Sequence, residues 1–237
     1  MNKTTATSDL LIEIGTEDLP ARYVLPLAKA LRDGVTGGLS KRGIAVGAAK
    51  VFATPRRVAV VAETVAARQA DQKIERLGPA LAAAMKDGQP TPAALGFAKS
   101  CGVEFAALGQ KDGKLHFAKS QPGRATADLL PEIFEETLKG MDALVPKRMR
   151  WGGGEETFVR PVKWIVCMLG GKVVALKRFG LKAGNKTYGH RFHAPKSIAL
   201  RSPAEYEKKL KAAKVWADFE SRKAEIRQQI EAEAKKL

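Results

Sequence analysis

Leu10-Leu11-Ile12-Glu13-Ile14, closed by Gly15, is the stretch that sets the fold. The run alternates, is rich in β-favouring residues and stops at a glycine, which reads as a strand. Beyond Pro20, the apolar residues Val24, Leu27, Leu31, Val35 and Leu39 recur at spacings of three and four, the pattern of an amphipathic helix. Pro20 suits the first turn of that helix, and Gly37-Gly38 weakens its end. Two strands follow, Val51 to Thr54 and Arg57 to Val65, broken at Pro55. The chain therefore opens as strand, helix, strand, strand.

Working outward, the region from Gly78 to Val103 reads as two short helices separated by the Gly88–Pro90 turn, the second with Thr91 as N-cap and Pro92 in its first turn. Lys114 to Gln121 alternates as a strand. The stretch TADLLPEIFEETLKGM supplies a helix with Leu129, Ile133 and Phe134 inward. From Trp151 to Leu200 short strands and turns dominate, with a hairpin signal at Gly170-Gly171. Ser202-Pro203-Ala204-Glu205 has the form of a capping box opening a helix. A charged helix closes the sequence at Leu237 without a C-cap or a glycine stop, which suggests a natural chain that continues. The expected class is α+β, with mixed or antiparallel sheets and helices packed on one side.

Composition sets the chemistry. The 237 residues are 45% hydrophobic and 28% charged, an ordinary globular mixture, but the net charge is +16. A polyanion is the first partner to consider. The charge is unevenly spread: residues 146–237 hold 22 Lys+Arg against 9 Asp+Glu, and Lys147 to Arg201 alone hold 13 basic residues against Glu155 and Glu156. Apolar runs and glycine turns interrupt that block, so it reads as a basic folded surface rather than a tail. Three segments follow from this reading: a near-neutral 1–145, a basic β-rich 146–201, and a helical 202–237. No apolar run approaches the ~20 residues of a membrane helix. Two cysteines without paired spacing support neither a disulfide framework nor a zinc module.

Motifs of phosphate-loop, dinucleotide, metalloprotease and serine-hydrolase chemistry are missing from the sequence. Gly152-Gly153-Gly154 reads as a phosphate cradle or as a flexible turn. Glu13, Glu17 and Asp18 cluster at a strand end, suited to acid/base or metal work, or to capping and turn roles. His190 and His193 flank Arg191 without a third ligand at metal spacing, and suit phosphate or ribose contacts or turn packing.

The basic segments are more specific. Pro55 fixes a bend that projects Arg56 and Arg57 from a strand end. Lys147, Arg148, Arg150 and Trp151 place three cations and an indole close together, and Arg160, Lys163 and Trp164 repeat the mixture. Basic side chains neutralise phosphates and exposed aromatic faces stack unpaired bases. Trp164 lies in an apolar run and reads as core, whereas Trp151 fits core or surface. The candidate RNA-binding set is Arg56, Arg57, Lys147, Arg148, Arg150, Trp151, Arg160, Lys163, His190 and Arg191, with no catalytic residue and no metal ligand.

The stretches LLIEIGTEDLPARYV, FATPRRVAV, PTPAALGFAKSCGV, LLPEI, PKRMRWG, FVRPVKWIVCMLGGKVV, NKTYGHRFH and VWADFESRKAEI run in order from Leu10 to Ile226. In them the sequence resembles the β subunit of bacterial heterotetrameric (α2β2) glycyl-tRNA synthetase, in its N-terminal portion. That resemblance implies a cytoplasmic ligase that attaches glycine to tRNA(Gly), with ATP, magnesium and glycine handled by the α subunit and no cofactor bound here. It implies as partners the α subunit, tRNA(Gly) and further β-chain domains, no membrane, and a fold likened to the B3/B4 region of the phenylalanyl enzyme. Two alternatives stand beside RNA binding. One is a subunit-interface module without tRNA contact. The other is a B3/B4-like editing hydrolase of mischarged tRNA, using Glu17 or Asp18 near His190.

Overall fold

A computed structural model describes residues 6–86 and 88–236; the polar start of the chain and the final Leu237 lie outside the described residues. In chain order the principal elements are β1 (Thr7–Thr16), α1 (Ala21–Lys41), β2 (Ala49–Thr54), β3 (Arg57–Ala66), β4 (Gln72–Ala80), α2 (Pro92–Cys101), β5 (Gly109–Lys111) and β6 (Lys114–Gln121). They continue as α3 (Thr126–Asp142), β7 (Val162–Leu169), β8 (Lys172–Val173), β9 (Lys186–Tyr188), β10 (Ser197–Ala199), α4 (Tyr206–Ala212) and α5 (Phe219–Ala234). The chain is α+β, and it divides into two compact units, Met1–Gln69 with Arg124–Leu237, and Ala70–Gly123. These cuts differ from the segments at 145 and 201, which follow charge rather than packing.

The first unit is built on a five-stranded sheet ordered β8-β7-β1-β3-β2, every pair antiparallel. β1 is central: Ile12 lies opposite Cys167 of β7 on one side and Val60 of β3 on the other. Both faces of this strand are covered, which is why Leu10 to Ile14 read as an almost unbroken apolar run. Leu10, Ile12 and Ile14 join the main core with Leu27, Leu31 and Leu39 of α1 and Leu130, Ile133 and Phe134 of α3. On the opposite face Leu11 packs with Phe52, Trp164, Met168, and with Tyr206 and Leu210 of α4. Each Leu or Ile so enclosed contributes roughly 1.5–3 kcal/mol. The expectation of helices on one side therefore holds for α1 and α3 but not for α4.

α1 runs straight through Gly37-Gly38 to Lys41. A Cβ on Gly38 would stand 2.6 Å from Ile133 Cγ2, and one on Gly34 would stand 2.6 Å from Thr137 Cγ2. The glycines that weaken the helix by roughly 1 kcal/mol each let α3 approach closely. The Gly170-Gly171 hairpin forms as expected between β7 and β8, with Gly170 at φ +57°. The capping box does not. Ser202 makes no side-chain cap, a 3₁₀ turn over Pro203–Glu205 precedes α4, and the Glu205 carboxylate accepts from the backbone N–H of Arg201 at 2.9 Å.

The second unit is a three-stranded sheet ordered β4-β6-β5 with α2. Of the two helices expected there, Leu81–Ala84 is a single turn. α2 begins as read: Thr91 accepts from Ala94 N at 3.4 Å, and the helix stops at Gly102, φ +67°. β4 carries no alternation in its sequence and is held by pairing with β6.

Candidate nucleic-acid interface

β2 and β3 are joined by a two-residue turn, Pro55-Arg56, because Thr54 pairs with Arg57. The chain leaving β1 is sewn to that turn: Thr16 N donates to Arg56 O at 2.9 Å, and Leu19 N to Pro55 O at 2.6 Å. Glu17 N donates to Pro161 O at 3.0 Å. Three remote segments thus meet at one sheet end and carry Glu17, Asp18, Arg56, Arg160 and Lys163 to it.

The adjacent arginines diverge there. Arg57 is only 2% exposed; its Nη1 donates to Glu13 Oε1 at 3.2 Å and to Thr187 Oγ1 at 3.0 Å, and its Nη2 donates to the Tyr188 carbonyl. Glu13 Oε1 also accepts from Trp164 Nε1 at 3.0 Å and Thr187 Oγ1 at 2.9 Å. Burial pushes the Glu13 carboxyl above its ordinary range, and Arg57, Thr187 and Trp164 offset part of that push. The same burial, with the Glu13 charge beside it, raises the Tyr206 phenol. Trp164 lies directly on Gly15, where a Cβ would come within 1.9 Å of the indole. Arg57 and Trp164 therefore hold the sheet end together, and Arg57 ties β9 to β1 and β3.

Arg56 is less enclosed, with 26% of its side chain exposed. It lines a cavity of about 460 Å³ together with Asp18, Arg57, His190, Arg191, Phe192, Lys214, Trp216 and Arg222, of which Arg57 is the most enclosed. A second hollow of about 260 Å³ shares Arg56, Gly189 and Arg191 and adds Lys163 and Tyr188. The cations outnumber the acids. Asp18 pairs with Arg191 at 2.5 Å, and Glu17 stands 3.4 Å from Lys163 and 3.7 Å from Arg56. Such solvent-facing pairs are worth about 0–1 kcal/mol, so phosphate oxygens can displace them. Glu17 and Asp18 do not cap α1, whose N-cap is Pro20 without a side-chain bond; their carboxylates are held by these cations.

His190 is fixed by its Nδ1, which accepts from the backbone N–H groups of Phe192 and His193, both at 3.3 Å. That leaves Nε2 as the donor of the neutral ring. The two imidazole rings lie 4.5 Å apart, tilted by 38°, and among the described residues no group of three or more His, Cys, Asp or Glu is placed to hold a metal ion. The loop carrying them abuts the end of α4. His190 N donates to Ala213 O at 3.0 Å, and a Cβ on Gly189 would stand 2.6 Å from that of Ala213.

The remaining candidates lie apart from the cavity. Lys147 is exposed, Arg148 pairs with Asp142 of α3 at 2.5 Å, and Arg150 with Glu155 at 3.1 Å. Asp142 of the near-neutral segment and Glu155 of the basic block itself thereby offset part of its charge. Trp151 is half-buried, its ring 5.8 Å from that of Phe179, and packs on the main core. Gly152 to Gly154 form an exposed turn. Arg160 bridges the two places, donating to Asp18 O at 3.2 Å and to Met149 Sδ at 3.3 Å.

Sequence reasoning missed Phe192, Lys214, Trp216 and Arg222. Trp216 donates to Ser221 Oγ at 2.9 Å and lies 4.1 Å from Lys211 Nζ; Arg222 donates to Trp216 O at 2.6 Å. The available signal was an indole beside lysines in KKLKAAKVW, the mixture that singled out PKRMRW.

Residues 10–237 match the family model described as glycyl-tRNA synthetase beta subunit. The chain is 44% identical over 218 residues to a glycine–tRNA ligase beta subunit of Pseudomonas putida, covering 92% of this chain and 32% of that protein. It is 47% identical over 233 residues to one from Chromohalobacter salexigens, covering 97% and 34% respectively. A third such subunit, from Marinobacter nauticus, is 42% identical over 237 residues, at 98% and 34%. The chain spans about a third of the length of these curated relatives.

Proposed function

The chain belongs to the glycyl-tRNA synthetase β-subunit family, and from that membership we propose that it is a tRNA-binding part of glycine–tRNA ligase. In this reading it supports ATP-dependent attachment of glycine to tRNA(Gly) in the cytoplasm, joined to further β-chain domains. The α subunit supplies the site for ATP, magnesium and glycine. The observation that carries the reading is the convergence of Arg56, Arg191, Lys214 and Arg222 with Phe192 and Trp216 around one cavity. Cations positioned beside stacking surfaces suit a nucleic acid better than a protein acid patch. Among the described residues no helix is long and apolar enough to cross a membrane.

A salt titration with tRNA(Gly) and a noncognate tRNA tests this. Binding is expected to weaken steeply with salt, and comparable affinities for the two tRNAs mean that the phosphate backbone is gripped here. Arg56→Ala and Arg191→Ala are each expected to lower affinity for both tRNAs and to reduce the log–log salt slope by about 0.9 per lost contact. Unchanged affinity and slope remove these residues from the interface. No binding even at low salt transfers the basic face to a protein contact with the α subunit. The exposed Met149 and Leu144, beside cations already paired to Asp142 and Glu155, favour that second role for the 147–151 segment.

A further inference from the structure

We propose that the cavity at the sheet end receives one unpaired nucleotide of single-stranded RNA, with its base against Phe192 and Trp216 and its phosphate among Arg56, Lys214 and Arg222. The inference rests on the RNA-binding reading above and specifies what that site takes.

Three observations carry it. The first is Phe192, 76% exposed although it is a large apolar ring. Its ring neighbours are His190 at 6.1 Å and the Arg191 guanidinium at 5.8 Å. Packing gives no reason to hold a phenyl ring in water, whereas a base can stack on it, and an adjacent cation strengthens that contact. The second is the backbone opposite. Lys214 adopts φ +62° as the left-handed residue that closes α4, its N–H donating to Lys211 O at 3.1 Å and that of Val215 to Leu210 O at 2.9 Å. This conformation follows the end of α4, where Gly189 presses on Ala213, and it carries Lys214 into the lining.

The third observation is the cation set. Arg222 is held by the Trp216 carbonyl and over the Phe219 ring at 5.3 Å, and burial lowers its pKa, so a bound anion restores what desolvation removes. The volume, about 460 Å³, falls among pockets that enclose small molecules, roughly 300–1,000 Å³. An A-form duplex keeps its base faces stacked inside and offers nothing to Phe192; a splayed nucleotide does.

Binding to three labelled RNA hairpins decides the matter: a blunt one, one with a short single-stranded overhang, and the same overhang made abasic. Each is titrated against the protein and its Phe192→Ala variant, an exposed position at which folding is not at risk. The overhang is expected to tighten binding about tenfold, within the 5- to 150-fold that one stacked base provides. Removing the bases, or Phe192, is expected to erase that gain, so that overhanging and blunt hairpins bind alike. Equal binding of blunt and overhanging hairpins, or a gain that survives in Phe192→Ala, overturns the nucleotide site. If that binding still falls in Arg56→Ala, the RNA reading stands without the nucleotide site. If no hairpin binds at low salt, both fall.

Discussion

Arg56 and Arg57 are one bond apart and do opposite work. Arg57 neutralises Glu13 where neither can reach water, so Arg57→Ala leaves a buried carboxylate without its counter-ion, a change that costs about 3–5 kcal/mol. The pH dependence has a definite sign. Burial holds the Glu13 carboxyl above its unfolded value. Its favourable contribution is therefore complete below that unfolded value and is lost as pH rises through the folded one. Removing Arg57 raises the folded value further. The deficit of Arg57→Ala should thus be smallest below the unfolded glutamate value, about 4.3, and grow as pH rises through the raised folded one. Urea midpoints across that range check it, and a deficit flat with pH refutes the coupling. The sequence made Arg56, Lys163 and Arg191 legible as surface cations because each sits near a turn or a proline. It could not separate Arg57 from Arg56, since the partners that bury Arg57 come from residues 13, 187 and 188.

Helices show the same division. α1 was legible from its apolar spacing, and α2 from Thr91 and Pro92, because those signals are local. β4 was not, because its stability lies in pairing with β6 rather than in its own pattern. α5 is the least anchored, with no buried residue among those described. Its hold is at its start. Asp218 accepts from Ser221 N at 2.8 Å and stands 2.6 Å from Lys50 of β2. Burial alone would raise the Asp218 carboxyl, but Lys50 and the Ser221 N–H outweigh it and bring it below the usual value. This stabilisation is present above the unfolded aspartate value, about 3.9, and is lost as pH falls through the lower folded one. Asp218→Ala should cost roughly 1–2 kcal/mol at neutral pH and lose less than the parent on acidification. Denaturation midpoints at neutral and acid pH measure both; equal losses on acidification dismiss the cap.

At the scale of the molecule, the chain leaves the first unit at Gln69 and returns at Arg124. There Gln69 N donates to Arg124 O, and Arg124 N to Gln69 Oε1, both at 3.0 Å. Those two ends already touch, so a short Gly/Ser linker in place of residues 70–123 should leave the sheet and the groove intact. Expected are a single cooperative thermal transition and RNA affinity within about twofold of the parent, as loop length alone changes closure entropy little. Loss of cooperative unfolding in the shortened protein contradicts the division. The insertion was not legible beforehand, because charge tallies run along the sequence whereas the packing of α1 on α3 does not. The sheet order bears on biosynthesis as well. β1 is flanked by β3, which follows soon after it, and by β7, which begins only at Val162. During translation the central strand keeps one row of backbone donors and acceptors unsatisfied while roughly a hundred further residues are made, some 5–20 s at bacterial or slower rates. The contiguous 70–123 unit is complete well before that row is closed. The nascent chain thus carries the whole 70–123 segment while one edge of the main sheet is still open, and that interval is when a chaperone has most to shield.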